Sequence, residues 1–299
     1  MVIRLTPVVY LFLILIAFIY FIIIILINTH FRCLENFAKT NVPLALERAL
    51  REEVPKIIWT YWDSPDIPEI VKICLTSWKN HAQNYKINII NKNTAEQYVN
   101  MPESWKELPA YRQSDIIRLL LLEKYGGIWI DASTILLKNP YSFVKQDGLT
   151  LFITPRTTLQ NPVFENWFIS APPQNNIIKL WVSETLYAIK NQERYVSSSS
   201  NDNKSLIGIY NYLLCHLVLK NIYERQKELF HDVKIYDSKE TAFYYHEKYQ
   251  WNNLNKNLLK DEYDPEKLLI KLRGGDRTGM NSDQLLKRIN HQKNIEEIK

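Results

Sequence analysis

The chain has 299 residues, 46% hydrophobic and 23% charged, and its 37 Lys and Arg exceed its 32 Asp and Glu by five. That composition excludes a wholly disordered chain, and the lack of a Gly-X-Y period or a repeat of about 20 to 50 residues excludes collagen and solenoids. The basic residues are scattered, so no nucleic-acid partner is indicated, and Cys33, Cys74 and Cys215 form no paired spacing that would suggest zinc or a disulfide framework.

From Val8 to Ile27 every residue is apolar or tyrosine, a run of about twenty that matches a hydrocarbon thickness of ~30 Å at 1.5 Å per residue. The polar Asn28-Thr29-His30-Phe31-Arg32 that follows offers no small-residue cleavage site, so the run predicts an uncleaved anchor. Arg4 stands on one side and Arg32 and Lys39 on the other, which leaves orientation open by the basic-residue count. The expected organisation is a tail and transmembrane helix over 1–28, a stem over 29–54 and a folded domain over 55–299, giving a single-pass protein of signal-anchor type.

In the domain, Lys56 to Trp62 predicts a buried strand, Pro68 opens a helix with Ile70, Val71, Cys74, Leu75 and Trp78 on one stripe, and Tyr85 to Ile90 predicts a second strand. Ser114-Asp115 begins an apolar helix that reaches Tyr125, and Gly126-Gly127 turns the chain into strand Ile128-Trp129-Ile130, closed by Asp131. The alternation implies an α/β fold, a Rossmann-like, mainly parallel sheet flanked by helices, whose ligands sit at the carboxyl ends of strands. Beyond it, Leu151–Thr154 and Val163–Ser170 predict strands, Asn175 to Lys190 and Leu206 to Phe230 predict helices, and the tail from Lys239 has no clear pattern.

Asp115 and Arg118 are three apart on a helix and project from one face, and the glycine turn brings Asp131 back toward them. Carboxylates accept from sugar hydroxyls and a guanidinium donates in parallel to hydroxyl and phosphate, so the trio suits a hexose diphosphate. Each residue also has a plain reading: a surface ion pair for Asp115 and Arg118, a turn residue for Asp131, core packing for Trp59 and Trp62.

Lys56–Trp62, Arg112-Gln113-Ser114-Asp115-Ile116-Ile117-Arg118 and Gly126-Gly127-Ile128-Trp129-Ile130-Asp131-Ala132-Ser133 together resemble the glycosyltransferases of the capsular polysaccharide synthesis family. More distantly they resemble the initiating mannosyltransferases and the large clostridial glucosyltransferase toxins that share its sugar-binding region. The resemblance runs from about Val54 to Leu272. It implies a GT-A type fold and a hexosyltransferase that moves sugar from a nucleotide-sugar to a glycan or lipid-linked acceptor, retaining configuration. It implies that Asp115, Arg118 and Asp131 are the catalytic and donor-binding set, that Trp59 stacks on the base, and that Asp131 with Ser133 holds Mn²⁺ or Mg²⁺ in a DxD-type motif. In a eukaryote it would imply a Golgi-type lumenal domain.

The chain departs from the wider pattern at Ser133, where many glycosyltransferases carry a second aspartate, and hard cations prefer carboxylates. Ile270-Lys271-Leu272 lacks the histidine of the family's His-Lys-Leu stretch, and Asn211 replaces a common acid while His216 remains. An inactive nucleotide-sugar-binding scaffold of the same fold is the alternative. Lys271, Arg273 and Arg277 around Gly274-Gly275 read either as a solvated basic turn or as an anion-binding loop that puts Arg273 on the donor phosphates.

Overall fold

Short runs of β-branched and aromatic residues become the strands in the computed structural model, which describes residues 52–200, 210–260 and 263–298. The anchor over 1–28, the stem as far as residue 51, residues 206–209 of the expected long helix and the side chain of Asn211 lie outside the described residues. Among the described residues no helix is long and apolar enough to cross a membrane.

The strands are β1 (Ile57–Tyr61), β2 (Lys86–Ile90), β3 (Gly127–Ile130), β4 (Thr134–Leu136), β5 (Thr150–Ile153), β6 (Phe168–Ala171), β7 (Lys234–Asp237) and β8 (Leu269–Lys271). Six of them form one sheet in the order β2-β1-β3-β6-β5-β7, while β4 and β8 make a separate antiparallel pair. Within the six, β6 alone runs against the others, so the sheet is mixed and mostly parallel. The main helices are α1 (Glu69–His81), α2 (Ala110–Tyr125), α3 (Asn176–Lys190), α4 (Tyr210–Arg225) and α5 (Ser282–Ile298).

Alternate residues of β1 and β3 serve opposite faces. Trp59 and Trp129 pack with Ile117, Leu121, Trp181 and Leu214 on one side, and Ile58, Ile128 and Ile130 pack with Trp78 and Phe168 on the other. Both faces are therefore dry, as strands joined by helical crossovers require. Trp78 of α1 is fully buried and its indole N–H donates to the Thr134 carbonyl at 2.6 Å, which fixes α1 over β4.

The two glycine pairs differ. Gly126 and Gly127 have φ of 62° and 97°, and a Cβ would lie 2.5 Å from Pro173 N and 2.6 Å from Ile57 O respectively. Gly274 and Gly275 open an ordinary helical turn, with nothing within 4 Å of a Cβ at Gly275.

Three expectations change. The strand expected over 163–170 is split: Val163–Glu165 pair with β5 through an antiparallel bridge at Phe164, Glu165 N donating to the Phe152 carbonyl at 2.8 Å, and the ladder breaks at Asn166, whose Nδ2 donates to Asp115 Oδ1 at 2.9 Å, before β6 begins at Phe168. The long helix expected to end at Phe230 stops at Arg225, where Gln226 turns away at φ −141° and a 3₁₀ turn follows. β4, β7 and β8 were not expected as separate strands.

Candidate functional site

A cleft of about 450 Å³ opens beyond the carboxyl ends of β1 and β3. Residues 61–63 after β1, residues 131–133 after β3 and the first turns of α2 form its walls. The Glu165–Trp167 loop, α4 and the segment 271–277 complete them. Helix α2 reaches this cleft with a polar face that is nevertheless buried: Arg112, Gln113, Asp115 and Arg118 are each at most 4% exposed. Such burial costs free energy unless every group is partnered.

The partners are present. Arg118 donates from Nη1 to the Asn166 carbonyl at 2.6 Å, from Nη2 to Ser114 Oγ at 2.7 Å and from Nε to the Ser114 carbonyl at 3.1 Å. Its Nη2 also lies 3.6 Å from one oxygen of Asp115 and 3.6 Å from one oxygen of Asp131. The guanidinium sits over the Trp129 ring at 5.0 Å. Arg118 thus bridges the two acids, and the three residues that the sequence separates do come together. Arg112 Nη1 closes the other side of Asp115 at 3.2 Å. Asp115 is not on the cleft surface; it stands behind the wall, holding Arg118 and Asn166.

Asp131 is on that surface. Its Oδ1 accepts from Trp129 Nε1 at 3.0 Å and its Oδ2 from Lys271 Nζ at 2.8 Å. Burial opposes its ionisation, but the Lys271 and Arg118 cations and these hydrogen bonds hold its carboxyl below the ordinary value. Lys271 Nζ also donates to Ser133 Oγ at 3.1 Å, and Ser133 Oγ donates to the Leu272 carbonyl at 3.0 Å.

This arrangement does not fit the Mn²⁺ or Mg²⁺ expected on Asp131 and Ser133. A hard divalent cation needs several free oxygens, preferably from carboxylates. Here one carboxylate has both oxygens engaged, the hydroxyl is engaged twice, and an ammonium lies between them. Among the described residues no group of three His, Cys, Asp or Glu is placed to hold a metal.

A further expectation is corrected. Trp59 is 3% exposed and donates from Nε1 to the Gly126 carbonyl at 2.9 Å, wedged beside Tyr98 and Tyr125 in the core, so it offers no face to a base. Trp62, the residue directly after Tyr61 at the end of β1, lines the cleft together with Trp167, and the Arg277 guanidinium lies 5.6 Å from the Trp62 ring centre. Arg273 does line the cleft; its Nε and Nη2 each donate to Asp276 at 3.0 Å and its guanidinium lies over Trp251 at 4.9 Å, with the side chain 45% exposed.

Sequence reasoning missed Glu165, Tyr212 and the place of Lys271. Glu165 Oε2 lies 3.6 Å from His216 Nε2 at the cleft, and the exposed Tyr212 ring meets Tyr111 at 5.4 Å on the same wall. The only signal for Glu165 was its position one residue before Asn166, a polar pair interrupting an apolar stretch.

No curated protein sequence matches the chain. Several solved structures resemble it at low identity, among them the following. The PaToxG glycosyltransferase is 17% identical over 81% of this chain and 88% of its own, with a TM-score of 0.40. The glycosyltransferase GlyE of Streptococcus pneumoniae is 11% identical over 81% and 63%, with a TM-score of 0.44. A glycosyltransferase involved in glycosylation of the major capsid of PBCV-1 is 8% identical over 79% and 98%, with a TM-score of 0.40. The family model described as capsular polysaccharide synthesis protein matches residues 28–272, which contain both the sheet and almost all of the cleft, and by that match the chain belongs to the capsular polysaccharide synthesis family.

Proposed function

We propose that the protein is a glycosyltransferase of GT-A type that moves a hexose from a nucleotide-sugar to a glycan or lipid-linked acceptor with retention of configuration. The observation that carries the reading is the Arg118, Asp131 and Lys271 cluster at the carboxyl ends of the strands, in a chain of a family named for polysaccharide synthesis. Two cations beside one carboxylate suit a ligand that joins hydroxyls to phosphates. The apolar run Val8–Ile27 supports a membrane anchor that keeps the cleft near a lipid-linked acceptor.

In this reading Asp131 accepts from a donor-sugar hydroxyl, Arg118 donates to the diphosphate, and Asp115 keeps Arg118 in place. Glu165, His216 and Tyr212 form the acceptor side. Glu165 is paired with His216 and is assigned to the acceptor, not to a covalent intermediate, so the acceptor hydroxyl attacks from the face the diphosphate leaves. The bond from the anomeric carbon to the phosphate oxygen breaks with its electron pair on that oxygen. The hydroxyl oxygen bonds to the carbon, and its proton passes to the departing phosphate.

A panel of nucleotide-sugars incubated with the full chain in detergent tests the reading. At least one donor is expected to be hydrolysed, and Asp131→Asn is expected to slow that hydrolysis about 100-fold. Turnover untouched by Asp131→Asn would refute the role of Asp131, and donor binding without turnover would favour a scaffold.

A further inference from the structure

The order Asp131-Ala132-Ser133 after β3 is where a hexosyltransferase of this class is expected to seat a divalent cation. In this chain a side chain from elsewhere fills the space between the two oxygens. Lys271 is the last residue of β8, 140 residues beyond Asp131, yet its register is fixed. Thr134 pairs with Lys271, Leu272 N donates to the Ser133 carbonyl at 2.9 Å, and Ser133 Oγ donates to the Leu272 carbonyl. A slip of one residue would turn Lys271 to the opposite face of the ribbon, so the pairing commits the ammonium to Asp131.

The chemistry of that ammonium is the second observation. It has three N–H donors. One goes to Asp131 Oδ2 and one to Ser133 Oγ, which leaves one for a ligand in the cleft that Lys271 lines. Its side chain is 12% exposed, buried enough for the charge to be poorly screened and open enough to be touched. Among the residues that line the cleft, the cations Arg118, Lys271, Arg273 and Arg277 stand against the carboxylates Asp63, Asp131 and Glu165. Of these cations, Arg277 lies over Trp62 in the cleft lining.

We propose that Lys271 takes the place of the divalent cation: its ammonium, seated on Asp131 and Ser133, binds the donor diphosphate and remains on it through transfer, so that neither binding nor turnover requires a metal. This rests on the glycosyltransferase reading above. Lys271 keeps its proton throughout. It stabilises the oxygen that receives the electron pair of the broken sugar–phosphate bond, and the acceptor's proton goes to that same phosphate.

Three measurements on the full chain in detergent test it, with Lys271→Met, which keeps the packing of the stem, and Lys271→Arg, which keeps the charge. The first is calorimetric titration of inorganic pyrophosphate in the presence of EDTA. Wild type is expected to bind, Lys271→Met to bind about 100-fold more weakly, and Lys271→Arg to recover most of the loss. The second is paramagnetic resonance of Mn²⁺ alone, whose free-ion signal is expected to be unchanged by wild-type protein. The third is hydrolysis across the nucleotide-sugar panel, expected to be the same in EDTA as in Mn²⁺. Pyrophosphate binding that appears only with Mn²⁺, Mn²⁺ uptake lost in Asp131→Asn, or Lys271→Met binding like wild type would each overturn the proposal. Turnover that requires Mn²⁺ would overturn Lys271 and leave the transferase standing. Metal-free pyrophosphate binding through Lys271 with no donor ever hydrolysed would keep the lysine site and overturn the transferase.

Discussion

Asp115 acts through its neighbours. It accepts from Asn166, flanks both Arg112 and Arg118, and has no place on the cleft surface. Asp115→Asn is therefore expected to lower kcat about 10-fold through a loosened Arg118 while donor KM stays within about threefold. A KM raised far beyond that would place Asp115 on the donor. Asp276 gives a stability prediction. Burial opposes its charge, but hydrogen bonds from His246 at 2.8 Å and from the Arg273 side chain and amide outweigh this and hold its carboxyl far below the ordinary range. A carboxyl depressed in the folded state contributes stability that is complete above its unfolded value of about 3.9 and is lost as pH falls toward the folded value. Asp276→Asn is expected to cost about 2 kcal/mol at neutral pH. Melting curves should show that deficit shrinking below about pH 4; a deficit constant down to acid pH would show that the charge of Asp276 contributes nothing.

The turn from α2 into β3 aims Asp131, and it works only without side chains. At Gly127 a Cβ would meet the Ile57 carbonyl of the neighbouring strand with φ already at 97°, so Gly127→Ala is expected to cost at least about 2 kcal/mol. Gly275→Ala, in open space and ordinary helical conformation, is expected to stay within about 0.5 kcal/mol. Comparable losses from both in urea unfolding would contradict the distinction. This turn was legible because its signal is local: an apolar helix, two glycines, three apolar residues and an acid. Lys271 was not legible, because β4 and β8 are three residues each and pair across more than a hundred residues. A three-residue strand carries too little periodicity to be read. Trp59 and Trp62 show the same limit, since composition cannot tell which of two nearby indoles faces the core when the strand end is uncertain by one or two residues.

The last part of the chain closes the fold from outside the sheet. Leu285 and Ile289 of α5, with Ile270 of β8 and Leu254, cover Ile73 and Cys74 on α1 in a cluster separate from the two that line the sheet. Cys215, on α4, instead lies in the cluster around Trp181 and Leu214. Both thiols are fully buried, and burial pushes each up to about 12. Because a thiol is alkylated as its thiolate and only when reached by solvent, both should resist iodoacetamide at mildly alkaline pH in the native protein. A chain ending at residue 281 lacks α5 and uncovers the cluster around Cys74 while leaving the one around Cys215 covered. Peptide mapping after timed alkylation is expected to show Cys74 modified about 10-fold faster or more in the shortened chain, with Cys215 as slow as before. Equal acceleration at both would mean that α5 holds up the whole sheet, and none at Cys74 would mean that the β4–β8 pair, with the helices before it, seals α1 without α5.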